Sequence, residues 1–224
     1  MASSNTSAAP LVGVILAGGL SRRMFSDKAA GEAAGDKGLL PLGADTMLGR
    51  VVARLAPQVA QLVINANGDA RRFAAFGLPV VADPIEGFVG PLAGVLAGLQ
   101  WSAREVPGAT HVITTSADAP FLPSDLADRL WQVARAKPGS IALARSSGEL
   151  HPVIGCWPVA HAADLDAALR AGTRKVLHWT DSHGTLPVDF DFIDLGGEQV
   201  DPFFNANTPA ELDEARRLIA KLSA

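Results

Sequence analysis

Apolar residues recur along this chain in two alternating rhythms, and the alternation predicts most of the fold. LVGVILA (11–17) is an unbroken apolar run of the kind expected for a strand covered on both faces. A glycine-rich, charged loop follows (18–38), and helical spacing then runs from Thr46 to Gln58. QLVIN (61–65) reads as a second strand, GDARRFAAFG (68–77) as a short helix and LPVVAD (78–83) as a third strand. The loop PIEGFVG leads into a helix over 91–104, and HVITTS (111–116) gives a fourth strand. PSDLADRLWQVARA (123–136) is a helix with Leu126, Leu130 and Val133 on one face. Strand-like runs at 140–145 and 150–157, helical patterns near 159–171 and 173–181, and a strand near 185–190 complete the middle of the chain. Thr208-Pro209-Ala210-Glu211 is a capping box with proline at the first helical position, and Leu212, Ala215, Ile219 and Leu222 mark one face of the last helix. Strands alternating with helices build βαβ units, so the expected fold class is α/β in three layers around a mainly parallel sheet. Neither repeat nor low-complexity linker interrupts 11–224, which reads as one compact domain behind a disordered tail, 1–10.

Composition narrows the classes. With 48% hydrophobic and 19% charged residues over 224 positions, the chain has ample material for a core. A net charge of −4 gives no global attraction to nucleic acid or anionic membranes. The single cysteine, Cys156, excludes an intrachain disulfide or a multi-cysteine cluster, and the five histidines lack the HExxH spacing of a zinc enzyme. The opening MASSNTSAAP lacks the basic start of a signal peptide, and no apolar run reaches the ~20 residues of a membrane span, so a cytoplasmic location is expected. Gly90, Gly94 and Gly98, spaced by four, point to a helix packed tightly on a sheet.

In such folds ligands sit beyond the carboxyl ends of the strands. After the first strand come Gly18-Gly19-Leu20-Ser21-Arg22-Arg23-Met24 and then Asp36-Lys37-Gly38. The glycines let backbone N–H groups approach a ligand, and the cations suit an oligophosphate; the plainer reading is a tight strand exit with a solvated basic loop. Between Gly18 and Lys37 four basic side chains stand against three acids, so the average charge hides a local anion site. Neither GxxxxGK[ST] nor GxGxxG is present, which excludes a P-loop NTPase and disfavours a dinucleotide-binding dehydrogenase. Asn65-Ala66-Asn67, Asp83-Pro84 and Ser116-Ala117-Asp118-Ala119-Pro120 end the next strands at the same sheet edge. Their oxygens suit Mg²⁺, or ribose hydroxyls and base edges.

LAGGLSRRM with DKGLL, then NAN, then DP followed by GPLAG, then SADAPFLP together resemble the molybdenum cofactor guanylyltransferase family, within the wider group of sugar-nucleotide-type nucleotidyltransferases. HPVIG (151–155), RKV (174–176) and FFNANTPAEL (203–212) extend the resemblance over 11–222 in the right order. It implies a Rossmann-like nucleotidyltransferase domain, with Mg²⁺ as cofactor, that transfers GMP from GTP to the terminal phosphate of molybdopterin and releases pyrophosphate. The implied backbone contacts to guanine and phosphates are Leu16, Ala17, Gly18 and Gly19. The resemblance gives Lys37, Asp118 and Arg22 as the catalytic set, with Lys37 neutralising the triphosphate and Asp118 ligating Mg²⁺. Asn65 and Asp83 would hold the nucleoside, and Asn205 and Asn207 are candidates for a second metal or phosphate contact, Asn207 being the metal candidate although it directly precedes the Thr208 cap. Implied partners are GTP, molybdopterin, and possible cofactor-biosynthesis proteins and recipient molybdoenzymes, with no nucleic acid, no membrane and a monomeric state.

Phosphate-on-phosphate attack needs positioning and charge neutralisation rather than a side-chain nucleophile. One departure from the family pattern stands out: FSDKAAGEAAG follows Met24, an insertion of about ten residues that offers two DK pairs. Lys37 is preferred because Gly38-Leu39-Leu40-Pro41-Leu42-Gly43 continues the pattern, with Lys28 as the alternative. His151-Pro152, Arg174 and Lys175 are further candidates on the second-substrate side, and Trp101, Trp131 and Trp179 read as core or half-buried. Trp157 could face the second substrate. Two other functions stay open. One is cytidylyl transfer, whose relatives carry LAAG where this chain has Leu16-Ala17-Gly18-Gly19; the other is a non-catalytic nucleotide-binding adaptor.

Overall fold

A computed structural model describes residues 9–18, 36–87 and 90–222. The expected tail, 1–10, therefore lies outside the described residues except for Ala9 and Pro10. Along the chain come β1 (Val12–Leu16), β2 (Pro41–Leu42), β3 (Asp45–Thr46), α1 (Met47–Leu55), β4 (Gln61–Asn65), β5 (Val80–Val81), α2 (Pro91–Glu105) and β6 (His111–Ser116). There follow α3 (Leu126–Ala136), β7 (Ile141–Ser146), β8 (Glu149–Pro158), α4 (Ala162–Arg170), α5 (Val176–Ser182), β9 (Thr185–Asp189), β10 (Ile193–Asp194), β11 (Gln199–Val200) and α6 (Pro209–Leu222).

The central sheet has seven strands in the order β5-β4-β1-β6-β8-β7-β9. Strand β8 runs against both neighbours, while every other pairing in this sheet is parallel. The reversal has a local cause. Ser147 and Gly148 both take positive φ (49° and 83°), as a tight two-residue hairpin requires, and so short a link cannot make a parallel crossover. The expected third strand is shorter than 78–83, since β5 pairs only Val80 and Val81 with β4. The helix expected over 123–136 begins at Leu126, where Gln58 accepts from the Ala127 N–H (2.9 Å) and donates to the Pro123 carbonyl (2.9 Å).

Alternation along β1 separates the two covering layers. Val12 and Val14 join the cluster of α2, α4 and α5, whereas Ile15 joins that of α1 and α3. A third cluster sets α6 against Leu42, Met47, Phe121 and Val200, using the β2–β3 and β10–β11 ribbons that sequence periodicity does not reveal. Trp101, Trp157 and Trp179 are buried, and Trp157 donates to the Thr114 hydroxyl (2.7 Å), so it is a core residue and does not face a second substrate. Cys156 is also buried, and burial pushes its thiol far above the usual range. Among the described residues no helix is long and apolar enough to cross a membrane.

The four-residue glycine spacing in α2 serves packing. A Cβ at Gly98 would lie 2.6 Å from Cγ2 of Val14 and 3.3 Å from its Cβ. Val14 is fully buried on a central strand and has a stiff side chain, so it cannot yield cheaply. Overpacking costs about 1–3 kcal/mol, against about 1 kcal/mol gained by replacing a helical glycine with alanine. Gly98→Ala should therefore lower stability by up to about 2 kcal/mol, read as a reduced urea midpoint at unchanged slope.

Candidate active site

Strand order reverses at β1, which has β4 on one side and β6 on the other, so the first loop leaves the sheet at a topological switch point. A cleft of about 340 Å³ opens there, lined by Leu16, Ala17 and Gly18, by Asp36 and Lys37, by Asn65, Asp83, Gly90 and Gly94, and by Ser116, Ala117, Asp118 and Val153. The sheet edge thus gathers the residues that sequence reading expected after β1, β4, β5 and β6. Gly19, Arg22 and Lys28 lie outside the described residues.

On one wall Lys37 opens a short 3-10 turn, Lys37–Leu39, capped by Asp36, whose Oδ1 accepts from the Gly38 N–H at 3.0 Å. The Lys37 ammonium donates to the Asp118 carboxylate and to Oδ1 of Asn207 (2.7 Å). Asp118 is buried, and its backbone carbonyl accepts from the Ala206 N–H at 3.2 Å. The capping role of the segment before α6 does not compete with this contact. Glu211 takes the N–H groups of Asn207 (2.8 Å) and Thr208 (2.9 Å), leaving the Asn207 side chain turned to Lys37.

The opposite wall is a clasp around Asp83. Its Oδ1 accepts from Asn65 Nδ2 (2.9 Å), its Oδ2 from Asn67 Nδ2 (2.7 Å), and its own N–H donates to Asn67 Oδ1 (2.9 Å). Asn65 also donates to the Val81 carbonyl at 3.2 Å, so its amide nitrogen is committed within the protein and the Oδ1 side is the one left for a ligand. Gly94 clears that side, because a Cβ there would lie 2.2 Å from Asn65 Oδ1. Gly18 differs: a Cβ would meet Asn67 and Asn65 only at 3.8 and 3.9 Å, ordinary contact. Folding does not require the missing methyl at 18. The space belongs to the cleft.

A strap, residues 201–207, crosses the sheet edge and carries the remaining contacts. Asn205 Oδ1 accepts from the Ser116 hydroxyl at 3.3 Å, and the Phe203 ring lies 4.6 Å from that of His151. Asp201 accepts from the Ser146 hydroxyl at 2.8 Å, and Ser146 Oγ lies 2.7 Å from His151 Nε2. With its proton given to Asp201, Ser146 accepts there, and His151 donates through Nε2. This is not a nucleophile triad, because the carboxylate holds the serine rather than the histidine. Arg174 donates to the carbonyls of Leu169 (2.8 Å) and Thr173 (2.7 Å), closing the end of α4. Asn67 and Gly94 were marked in the sequence by the NAN and GPLAG segments, but not as partners of Asp83 and Asn65; Asp201 had no signal in composition or spacing.

Burial lowers the His151 imidazole below its ordinary range, against the opposing effect of Asp201 and then Glu149. Burial lowers His111 too, with His161 adding to it. The unfolded chain, titrating near ~6.5, then binds more protons than the folded one, so this stability is present above about pH 6.5 and is lost as pH falls. Melting temperature should drop between about pH 7 and pH 5, and the drop should flatten in the His111→Gln/His151→Gln double variant.

Residues 13–185 match the family model described as "MobA-like NTP transferase domain". A molybdenum cofactor guanylyltransferase of Mesorhizobium japonicum is 44% identical over 219 residues, covering 96% of this chain and 98% of its own. One from a Bradyrhizobium species is 48% identical, with 98% and 97% covered. Among solved structures, the molybdopterin-guanine dinucleotide biosynthesis protein A of Archaeoglobus fulgidus superposes with a TM-score of 0.71 at 20% identity, over 94% of this chain and 99% of that one.

Proposed function

This chain belongs to the MobA-like NTP transferase family and is a nucleotidyltransferase of the molybdenum cofactor guanylyltransferase group, and we propose that it transfers GMP from GTP to the terminal phosphate of molybdopterin, releasing pyrophosphate. The observation that carries this reading is the convergence of the Lys37 ammonium, the Asp118 carboxylate and the Asn207 amide oxygen at the mouth of a cleft whose other wall is the Asn65–Asp83 clasp. One end of that cleft offers a cation for phosphates and the other fixed amides for a nucleoside.

In the proposed reaction an oxygen of the molybdopterin phosphate attacks the α-phosphorus of GTP. A new P–O bond forms, the bond from the α-phosphorus to the bridging oxygen breaks, and its electron pair leaves with pyrophosphate. The attacking phosphate is largely ionised at pH 7, its second pKa lying near ~6, so no side chain need accept a proton. Lys37 would hold the triphosphate against its own charge repulsion, and Asn65, fixed by Asp83, would orient the nucleoside. Backbone N–H groups after β1 would approach the phosphates where Gly18 carries no side chain.

Asp118 and Asn207 turn two hard oxygens toward one point, which the Lys37 ammonium fills here, and that donor chemistry fits Mg²⁺ completed by water and phosphate oxygens. When bound, the ion would supply Lewis-acid polarisation of the phosphates.

The test is molybdopterin offered with GTP, CTP or ATP in parallel, scoring pyrophosphate and the nucleotide joined to the product. GTP should be used in preference, whereas preference for CTP would overturn the guanylyl assignment. GTP binding without turnover would favour the adaptor. Lys37→Ala should cut kcat/KM by roughly a hundredfold to a thousandfold, while Lys28→Ala stays near wild type. Gly18→Ala should keep its melting temperature yet raise KM for GTP by about tenfold relative to CTP, since a methyl would narrow the cleft without straining the fold.

A further inference from the structure

Behind the cleft lies an arginine that none of these roles uses. Residues 71 and 72 are adjacent on the short 3-10 helix Ala70–Phe76, but their side chains part company. That of Arg71 is 90% exposed and pairs outward with Asp69, whereas that of Arg72 is 29% exposed and turns in toward Asp36, itself 12% exposed. Arg72 Nε donates to Asp36 Oδ2 at 3.3 Å, Nη2 to the Asn67 carbonyl at 2.8 Å, and Nη1 to the Asp69 carbonyl at 2.6 Å. Its guanidinium carbon stands 4.4 Å from the centre of the buried Phe73 ring.

These acceptors belong to both walls of the site. Asp36 immediately precedes Lys37 and caps its turn with the other carboxylate oxygen. Asn67 grips Asp83 from both sides. We infer that Arg72 is a positioning residue for the nucleotidyl transfer, a planar brace that fixes the Lys37 turn relative to the Asn67–Asp83 clasp. A lysine cannot replace it, because one ammonium at the end of a flexible stem does not span three acceptors on two segments. The pair is mostly buried, so losing one partner costs stability as well as geometry, and kcat read well below the melting temperature separates the two.

The inference rests on the role given to Lys37, and its test separates the two. Steady-state kinetics with GTP and molybdopterin, and melting temperature, are measured for wild type, Arg72→Met, Arg72→Lys, Asp36→Asn, Lys37→Ala and the Arg72→Met/Lys37→Ala double variant. Asparagine at 36 keeps a capping oxygen but removes the charge. Arg72→Met and Asp36→Asn should each lower kcat by about tenfold to a hundredfold at temperatures well below their melting points, with KM for molybdopterin unchanged, and Arg72→Lys should not restore it. In the Lys37→Ala background, Arg72→Met should have less than about a twofold further effect, because its route runs through Lys37. Unchanged kcat in Arg72→Met, an undiminished effect in the double variant, or a loss that follows melting temperature in both single variants would overturn the brace while leaving Lys37 in place. Full activity in Lys37→Ala would overturn the Lys37 assignment and the brace together.

Discussion

The cleft depends on one cation held between two distant oxygens. Lys37 meets Asp118, 81 residues away, and Asn207, 170 residues away. A contact spanning such loops cannot form first, since closure entropy must be met before it returns anything. It is met by the sheet: β1 and β6 pair in register from Val12 to Leu16, which sets Asp118 beside the exit of the first strand. The α6 cluster then brings Asn207 over the edge, with Leu212, Leu218 and Ile219 against Leu42 and Met47. Packing delivers three polar groups to one point, and their attraction fixes the last ångström.

The strap 201–207 shows how a loop is held by side chains without sheet pairing of its own. Asp201 is tied to Ser146, Asn205 to Ser116, Ala206 to Asp118 and Asn207 to Lys37. Three side-chain anchors and one between backbones tie it to β7, to β6, beyond β6 and beyond β1, although it is neither helix nor strand. Glu211 satisfies the amides at its exit, so the strap runs into α6 with its side chains free to face the cleft. Substitutions at Glu211 would therefore be felt at Asn207, one residue before the cap and one contact from Lys37.

What the sequence discloses follows the range of its causes. Strand β1 was legible because burial on both faces leaves a continuous apolar run, β4 and β6 as short runs rich in β-branched residues, and α6 because its cap and its period agree. Two-residue strands such as Pro41–Leu42 and Ile193–Asp194 carry no period and could not be read. The direction of β8 turns on the backbone angles of Ser147 and Gly148, which sequence spacing underdetermines. Lys37, Asp83 and Asp118 were legible as polar residues after strands and as pieces of a family motif. Their pairing with one another and with the amides of Asn65, Asn67 and Asn207 was not. Arg72 looks like its neighbour Arg71, and only the return of Asp36 to the same place separates a structural brace from a solvated charge.

Within the described walls, Lys37 and Arg72 face Asp36, Asp83 and Asp118, so carboxylates outnumber cations by one. Each carboxylate is already engaged: Asp36 by Arg72, Asp83 by two amides, Asp118 by Lys37. Such walls are organised but not electropositive, and a triphosphate entering them would be repelled unless further positive charge came with it. Two sources would serve. If the proposed Mg²⁺ binds, Asp118 and Asn207 would hold it and the Lys37 ammonium would be left for the phosphates. The other is the Arg22-Arg23 pair, which the sequence puts between Gly18 and Lys37. Under the proposed function the Lys37–Asp118 pair would be a resting arrangement, in which ammonium and carboxylate neutralise each other, Asp118 being the group that would hold a cation and Lys37 the one that would hold the phosphates.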